Sequence, residues 1–152
     1  MFNNKLAKNN IVQDYGGGVG GYLFNWGVKD HTGNLLTKDT NYHLDWYPQY
    51  PILFNHGFSS EVGCVKLGTV YELRKTDSGI MIIGSLDPEN EWYEALCVLK
   101  SRNTLFWTAS PIQHLTKAVD GVWAHYPLSE ISLTNLNGMT AEDLKPISNN
   151  AS

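Results

Sequence analysis

The chain has 152 residues, of which 42% are apolar, 17% charged and 12% aromatic, the balance of a soluble globular domain rather than of a disordered or collagen-like chain. That length suits one domain burying roughly two thirds of the surface its unfolded chain exposes. With 11 Lys and Arg against 15 Asp and Glu the net charge is −4, which argues against nucleic-acid binding, a function that normally shows a basic face.

The 14 glycines, 8 tyrosines and 5 tryptophans favour β structure, because turns need Gly and pleated surfaces suit aromatic side chains. Cys64 and Cys97 match no metal spacing and read as two buried, reduced thiols of an intracellular protein. The first residues, MFNNKLAKNN, lack an apolar signal-peptide core, and no stretch reaches transmembrane length.

In chain order, residues 1–15 are polar and expected to be loose. The run Gly16-Gly-Gly-Val-Gly-Gly21 precedes a strand-like segment, Tyr22 to Val28, so it reads as a flexible lead-in; a phosphate-binding loop would follow a strand and open a helix. Asp30 to Asp45, rich in Asp, Asn, Thr and Gly, is expected to be an ordered surface loop with solvated His31 and His43. A short apolar strand, Ile52-Leu-Phe54, then ends at Asn55-His56-Gly57. A histidine at the tip of a buried strand, with a turn-permitting Gly after it, suits either an active site or a turn cap.

Glu61 to Arg74 and Ile80 to Leu86 are expected to pair as strands across Lys75 to Gly79, with Gly63 and Gly68 marking bulges or barrel corners. Asp87 as N-cap, Pro88 as first helical residue and Glu89 near the dipole predict a helix from Pro88 to about Arg102. Trp92, Ala95, Leu96 and Leu99 form its apolar stripe. Leu105 to Ser110 begins apolar and ends in small hydroxyl residues. Ser129 to Thr134 alternates strictly, Ile131 and Leu133 facing one way, Glu130, Ser132 and Thr134 the other. From Asn137 the tail is polar, and Asn150-Ala-Ser152 is read as a chance glycosylation match.

The ordered set of a His at a strand end, a hairpin, a helix, a hydroxyl strand and a Glu-bearing strand resembles the caudovirus prohead proteases, related to the herpesvirus assemblins. The segments that carry the resemblance are Tyr22-Leu-Phe-Asn-Trp-Gly27, Thr32-Gly-Asn-Leu-Leu-Thr37, Pro51 to Gly57 and Leu67-Gly-Thr-Val70. Trp107, His114, Gly121, Tyr126-Pro127 and Glu130-Ile-Ser-Leu-Thr134 follow in the family's order. The resemblance implies a mainly β fold, a closed, orthogonally packed β-barrel with a few surface helices, over residues 20–146. Residues 1–19 and 147–152 would be flexible. It also implies a capsid-maturation endopeptidase that cuts scaffold and major capsid proteins in the procapsid interior or host cytoplasm. No cofactor, metal, nucleic acid or membrane is expected, and a homo-oligomer is compatible with it.

Carried over residue by residue, His56 is the general base and Glu130 the residue that orients it, while the family's nucleophilic Ser falls on Thr108. His125 stands near the place of the assemblins' third residue but five positions early. A backbone N–H near Asn135 to Asn137 would serve the oxyanion. The chain departs from the family where Ser-Ser-Gly becomes Thr108-Ala109-Ser110. Residues 108 and 110 share a strand face, so both are candidate nucleophiles, Thr108 the first choice and Ser110 the fallback. Thr carries an extra methyl and is stiff at χ1, which restricts its attack to one rotamer. Two other classes fit the same residues: an inactive head-assembly protein keeping the fold, and a ligand-binding barrel using Trp46, Tyr47, Tyr50, Trp123 and Tyr126.

Overall fold

Eleven strands and one α-helix run through residues 10–135, the part of the chain that the computed structural model describes. The strands are β1 (Gln13–Tyr15), β2 (Gly18–Asn25), β3 (Val28–Lys29), β4 (Leu35–Leu36), β5 (Tyr50–Phe54), β6 (Gly68–Lys75), β7 (Gly79–Leu86), β8 (Phe106–Pro111), β9 (Lys117–Val119), β10 (Val122–His125) and β11 (Leu128–Thr134). The helix, α1, spans Tyr93–Ser101. Seven strands form one sheet in the order β1-β2-β7-β6-β5-β11-β8, and the other four form a second, β3-β4-β10-β9. Neighbours are antiparallel except β5 with β11 and β4 with β10.

The mainly β character is as the composition predicts, but neither sheet closes into a barrel. β1 and β8 are the two edges of the larger sheet, and residues 10–12 cross between them with a single bridge, Ile11 to Phe106. Two hydrogen bonds flank it, Val12 N–H to Leu105 O and Trp107 N–H to Asn10 O, both 2.8 Å. The polar stretch from Asp30 to Asp45 supplies only the two residues of β4 and a bridge at Asn41, too little to extend a barrel wall. It builds the small second sheet instead.

The core is continuous, with Trp107, Ile52, Leu67, Ile80, Ile82, Leu105, Ile131 and Leu133 all fully buried. Trp107 sets the glycine requirement of β2. Its Nε1–H donates to Gly20 O at 3.0 Å, and a Cβ on Gly21 would lie 2.7 Å from the indole. The glycine run is thus no loose lead-in: Gly16 and Gly17, at φ 57° and 86°, make the tight turn between β1 and β2, and Gly18 to Gly21 lie inside β2. Gln13 to Tyr15 are likewise ordered in β1.

Three further expectations change. The strand expected from Glu61 starts at Gly68, since residues 58–67 form a loop in which Gly63 takes φ 75°. The helix starts at Tyr93 because two side chains divert the chain into successive turns. Asp87 Oδ1 accepts Glu89 N–H at 3.0 Å and Asn90 Oδ1 accepts Trp92 N–H at 2.8 Å. Ala95 is consequently exposed, whereas Leu96 is buried and Trp92 and Leu99 pack partly against the core. Leu96→Ala should lower stability by about 2–5 kcal/mol, read from a denaturant melt. Cys64 is exposed and Cys97 half-buried, so the expectation of two buried thiols fails, although both are free. Among the described residues no helix is long and apolar enough to cross a membrane.

Candidate active site

β5 runs parallel to β11, Ile52 beside Ile131 and Phe54 beside Leu133. Continued extension would carry residue 56 past the end of β11. Instead Asn55, His56 and Gly57 take φ of 47°, 58° and 81°, three left-handed residues in a row, closed by Phe58 N–H to Asn55 O at 2.9 Å. Asn and His tolerate this region better than most side chains, and Gly adopts it freely. Such backbone costs on the order of 1–3 kcal/mol per non-Gly residue and persists only where its surroundings hold it. What holds it here is β11: His56 N–H donates to Ser132 Oγ at 3.1 Å. The turn folds the imidazole back over the polar face of that strand.

β11 is central, between β5 and β8, and Ile131, Ser132, Leu133 and Thr134 are all buried. Its polar face is therefore covered, and the side chains on it must find partners within the protein. The register with β8 sets Glu130 opposite Ser110 and Ser132 opposite Thr108. Directly opposite residues share a face. Glu130 Oε1 consequently meets His56 Nδ1, Glu130 Oε2 accepts the Ser132 hydroxyl, and Ser110 Oγ stands 3.0 Å from His56 Nδ1. Burial pushes the Glu130 carboxyl upward, but hydrogen bonds from His56, Ser132 and Ser110, with attraction to the His56 ring, outweigh it and leave the pKa below its ordinary value.

A carboxylate with a lowered pKa is ionised at neutral pH and accepts hydrogen bonds only. Nδ1 must then carry the proton it shares with Glu130, which leaves Nε2 as the nitrogen that can act as a base. Glu130 thereby selects the tautomer a general base needs. Ser110 also meets the ring at Nδ1, so this is a resting arrangement. Removing the Ser110 proton requires the imidazole to turn and bring Nε2 to the hydroxyl. The His56 side chain is 22% exposed and that of Glu130 15%. His56, Thr108, Ala109 and Ser110 line a cavity of about 420 Å³, with Phe24, Leu36 and Tyr126 as apolar wall and Phe58 on its rim. Phe58 is 85% exposed, a large apolar ring offered to solvent beside the imidazole.

His56, Glu130 and Ser110 are thus brought together. Thr108 lines the same cavity but sits one pair along the ladder, opposite Ser132, and no hydrogen bond links it to His56. His125 lies elsewhere, its Nδ1 3.3 Å from His43 Nε2 at the surface, and His114 is exposed in a turn after β8. Of the expected oxyanion region only Asn135 lies within the described residues, and it lines a different cavity beside Leu96 and Leu99 of α1. Residues 136 and 137, like the glycosylation match at Asn150, lie outside them. Among the described residues no group of three His, Cys, Asp or Glu side chains is arranged to hold a metal ion.

Ser132 has a part in the site that the sequence reading did not give it. Its signal is in the alternation, which puts Ser132 and Glu130 on one face; that face could set the carboxylate beside a hydroxyl strand, but alternation alone gives Ser132 no partner.

A lowered carboxyl pKa carries a sign for stability. Glu130 contributes stability that is fully present above its unfolded value, about 4.5, and lost as pH falls through the lower folded value. Glu130→Gln should flatten that acid-side loss, measured as melting temperature against pH from 6 down to about 3. Comparison with family models, with curated proteins and with solved structures finds no match.

Proposed function

We propose that this chain is an endopeptidase of the prohead-protease kind, with His56 as general base, Glu130 as its orienting carboxylate and Ser110 as nucleophile. The observation that carries this reading is the meeting of those three side chains at one imidazole in the wall of an open cavity. In the reaction, Ser110 Oγ bonds to the scissile carbonyl carbon as His56 Nε2 takes its proton. The ring returns that proton to the leaving amine as the C–N bond breaks, and a water then hydrolyses the acyl-enzyme by the same route. Glu130 stabilises the imidazolium throughout. On this reading the open seven-stranded sheet is a variant of the assemblin-like fold.

A second feature favours a peptide substrate over a small molecule. Leu105 and Trp107 turn their backbone groups toward residues 10–12, so by the two-residue period of a strand Ala109 aims its N–H and C=O the same way. Ala109 lies in the cavity wall. An extended peptide can pair there and bring a carbonyl to Ser110. The proposed substrates are scaffold and major capsid proteins inside the procapsid.

The test is to coexpress the chain with the scaffold and coat proteins of its own particle and follow their masses. New, shorter products that vanish with His56→Ala support the reading. Intact partners in both cases leave a non-catalytic role in head assembly.

A further inference from the structure

Ser132 is fully buried between Ile131 and Leu133, in a strand covered on both sides. A hydroxyl in such a place is unfavourable unless it is hydrogen-bonded, and an apolar side chain would pack there as well. Both bonds that satisfy it go to the site. Its Oγ accepts His56 N–H at 3.1 Å, and its own proton goes to Glu130 Oε2. A serine hydroxyl can accept and donate at once, so a single atom ties the left-handed turn to the carboxylate that orients the ring.

We infer that Ser132 is a positioning residue, which sets the His56 backbone and the Glu130 carboxylate at the separation where imidazole and carboxylate meet. Its consequence for turnover rests on the endopeptidase reading above; its consequence for the geometry of the pair does not. The turn has two strained non-Gly residues, Asn55 and His56, and the bond to Ser132 is the one that anchors the His56 amide to β11. The Ser132 hydroxyl is the partner of Glu130 Oε2, while His56 meets Oε1 and Ser110 adds a further hydrogen bond, so losing it removes the restraint that comes from the carboxylate's own strand. The groups set against Glu130 are the His56 ring from the turn, the Ser110 hydroxyl from β8 and the Ser132 hydroxyl from its own strand. His56 is the titratable one of the three. Removing Ser132 therefore takes away a donor that lowers the Glu130 pKa and introduces no competing charge.

Ser132 does not line the cavity, so its loss should act on kcat and spare KM. Misplacing a catalytic group by about 1 Å can cost on the order of 10²-fold, and a loss of about 10–100-fold in kcat is expected for Ser132→Ala. The acid limb of the pH–rate profile should move to higher pH, and the His56 amide should exchange with deuterium faster. Ser132→Cys keeps the size but offers only a weak donor and acceptor, and should move the same readouts in the same direction. It also decides the matter if Ser132→Ala does not fold, as judged by circular dichroism. A folded variant that keeps wild-type kcat, acid limb and His56 amide exchange would overturn the assignment. If the wild-type chain cuts nothing, the endopeptidase reading falls. The amide exchange and an NMR titration of the Glu130 carboxyl would then still decide for or against Ser132, by moving or staying put.

Discussion

His56→Ala should lower kcat/KM on a scaffold-derived peptide by at least about 10²-fold, and by up to about 10⁴-fold if proton transfer limits the reaction. A serine hydroxyl is a weak nucleophile at neutral pH, and on the proposed mechanism the imidazole beside Ser110 takes its proton once Nε2 has turned to the hydroxyl. The ring is also held at real cost, since two consecutive non-Gly residues occupy the left-handed region to present it. Alanine keeps the Cβ, and with it the backbone cost of the left-handed turn, and leaves Glu130 without its principal partner. Stability and activity should therefore separate: the melt changes little or modestly, while cleavage disappears. A variant that still cuts the same bond within about tenfold of the wild-type rate would show that His56 is only a turn residue.

The pairing of His56 with Glu130 is what the resemblance to the prohead proteases implies, from the order of a strand that ends in Asn-His-Gly and a strand with a carboxylate on its polar face; local sequence alone leaves His56 open between active site and turn cap. What order alone cannot supply is the lateral register. The β8–β11 pairing puts Ser110, not Thr108, opposite Glu130, and a shift of two residues would have reversed them. The same gap hid Ser132. Ser129 to Thr134 forms a strand as its alternation predicts, but Ile131 to Thr134 are buried on both faces, so Ser132 and Glu130 join a network instead of facing solvent. The helix start failed for a local reason. Asp87-Pro-Glu is a fair N-cap sequence, yet Asp87 and Asn90 each satisfied a nearby N–H and made turns first. The barrel is absent for a composition-level reason, since the stretch from Asp30 to Asp45, rich in Asp, Asn, Thr and Gly, yields only the two residues of β4.

Ser110 against Thr108 is the sharpest remaining division, and the two hydroxyls predict opposite results. With Ser110 as nucleophile, Ser110→Ala should reduce turnover by on the order of 10⁴–10⁶-fold, as removal of an activated serine does elsewhere. Thr108→Ala should stay within about tenfold, because Thr108 would serve only as cavity wall, and Thr108→Ser should be neutral. With Thr108 as nucleophile the pattern inverts: Thr108→Ala abolishes cleavage, Thr108→Ser raises it by freeing χ1 and removing a methyl, and Ser110→Ala is mild. The geometry favours the first pattern, since Ser110 Oγ is 3.0 Å from the imidazole and is set by register beside the carboxylate. Thr108 instead faces Ser132, whose hydroxyl proton is already committed to Glu130. Mass spectrometry of the protein quenched during turnover, or treated with a serine-directed phosphonate, locates the acylated or labelled residue directly. A modified Thr108 with Ser110 untouched would refute the assignment of Ser110 while leaving the base and its carboxylate in their roles.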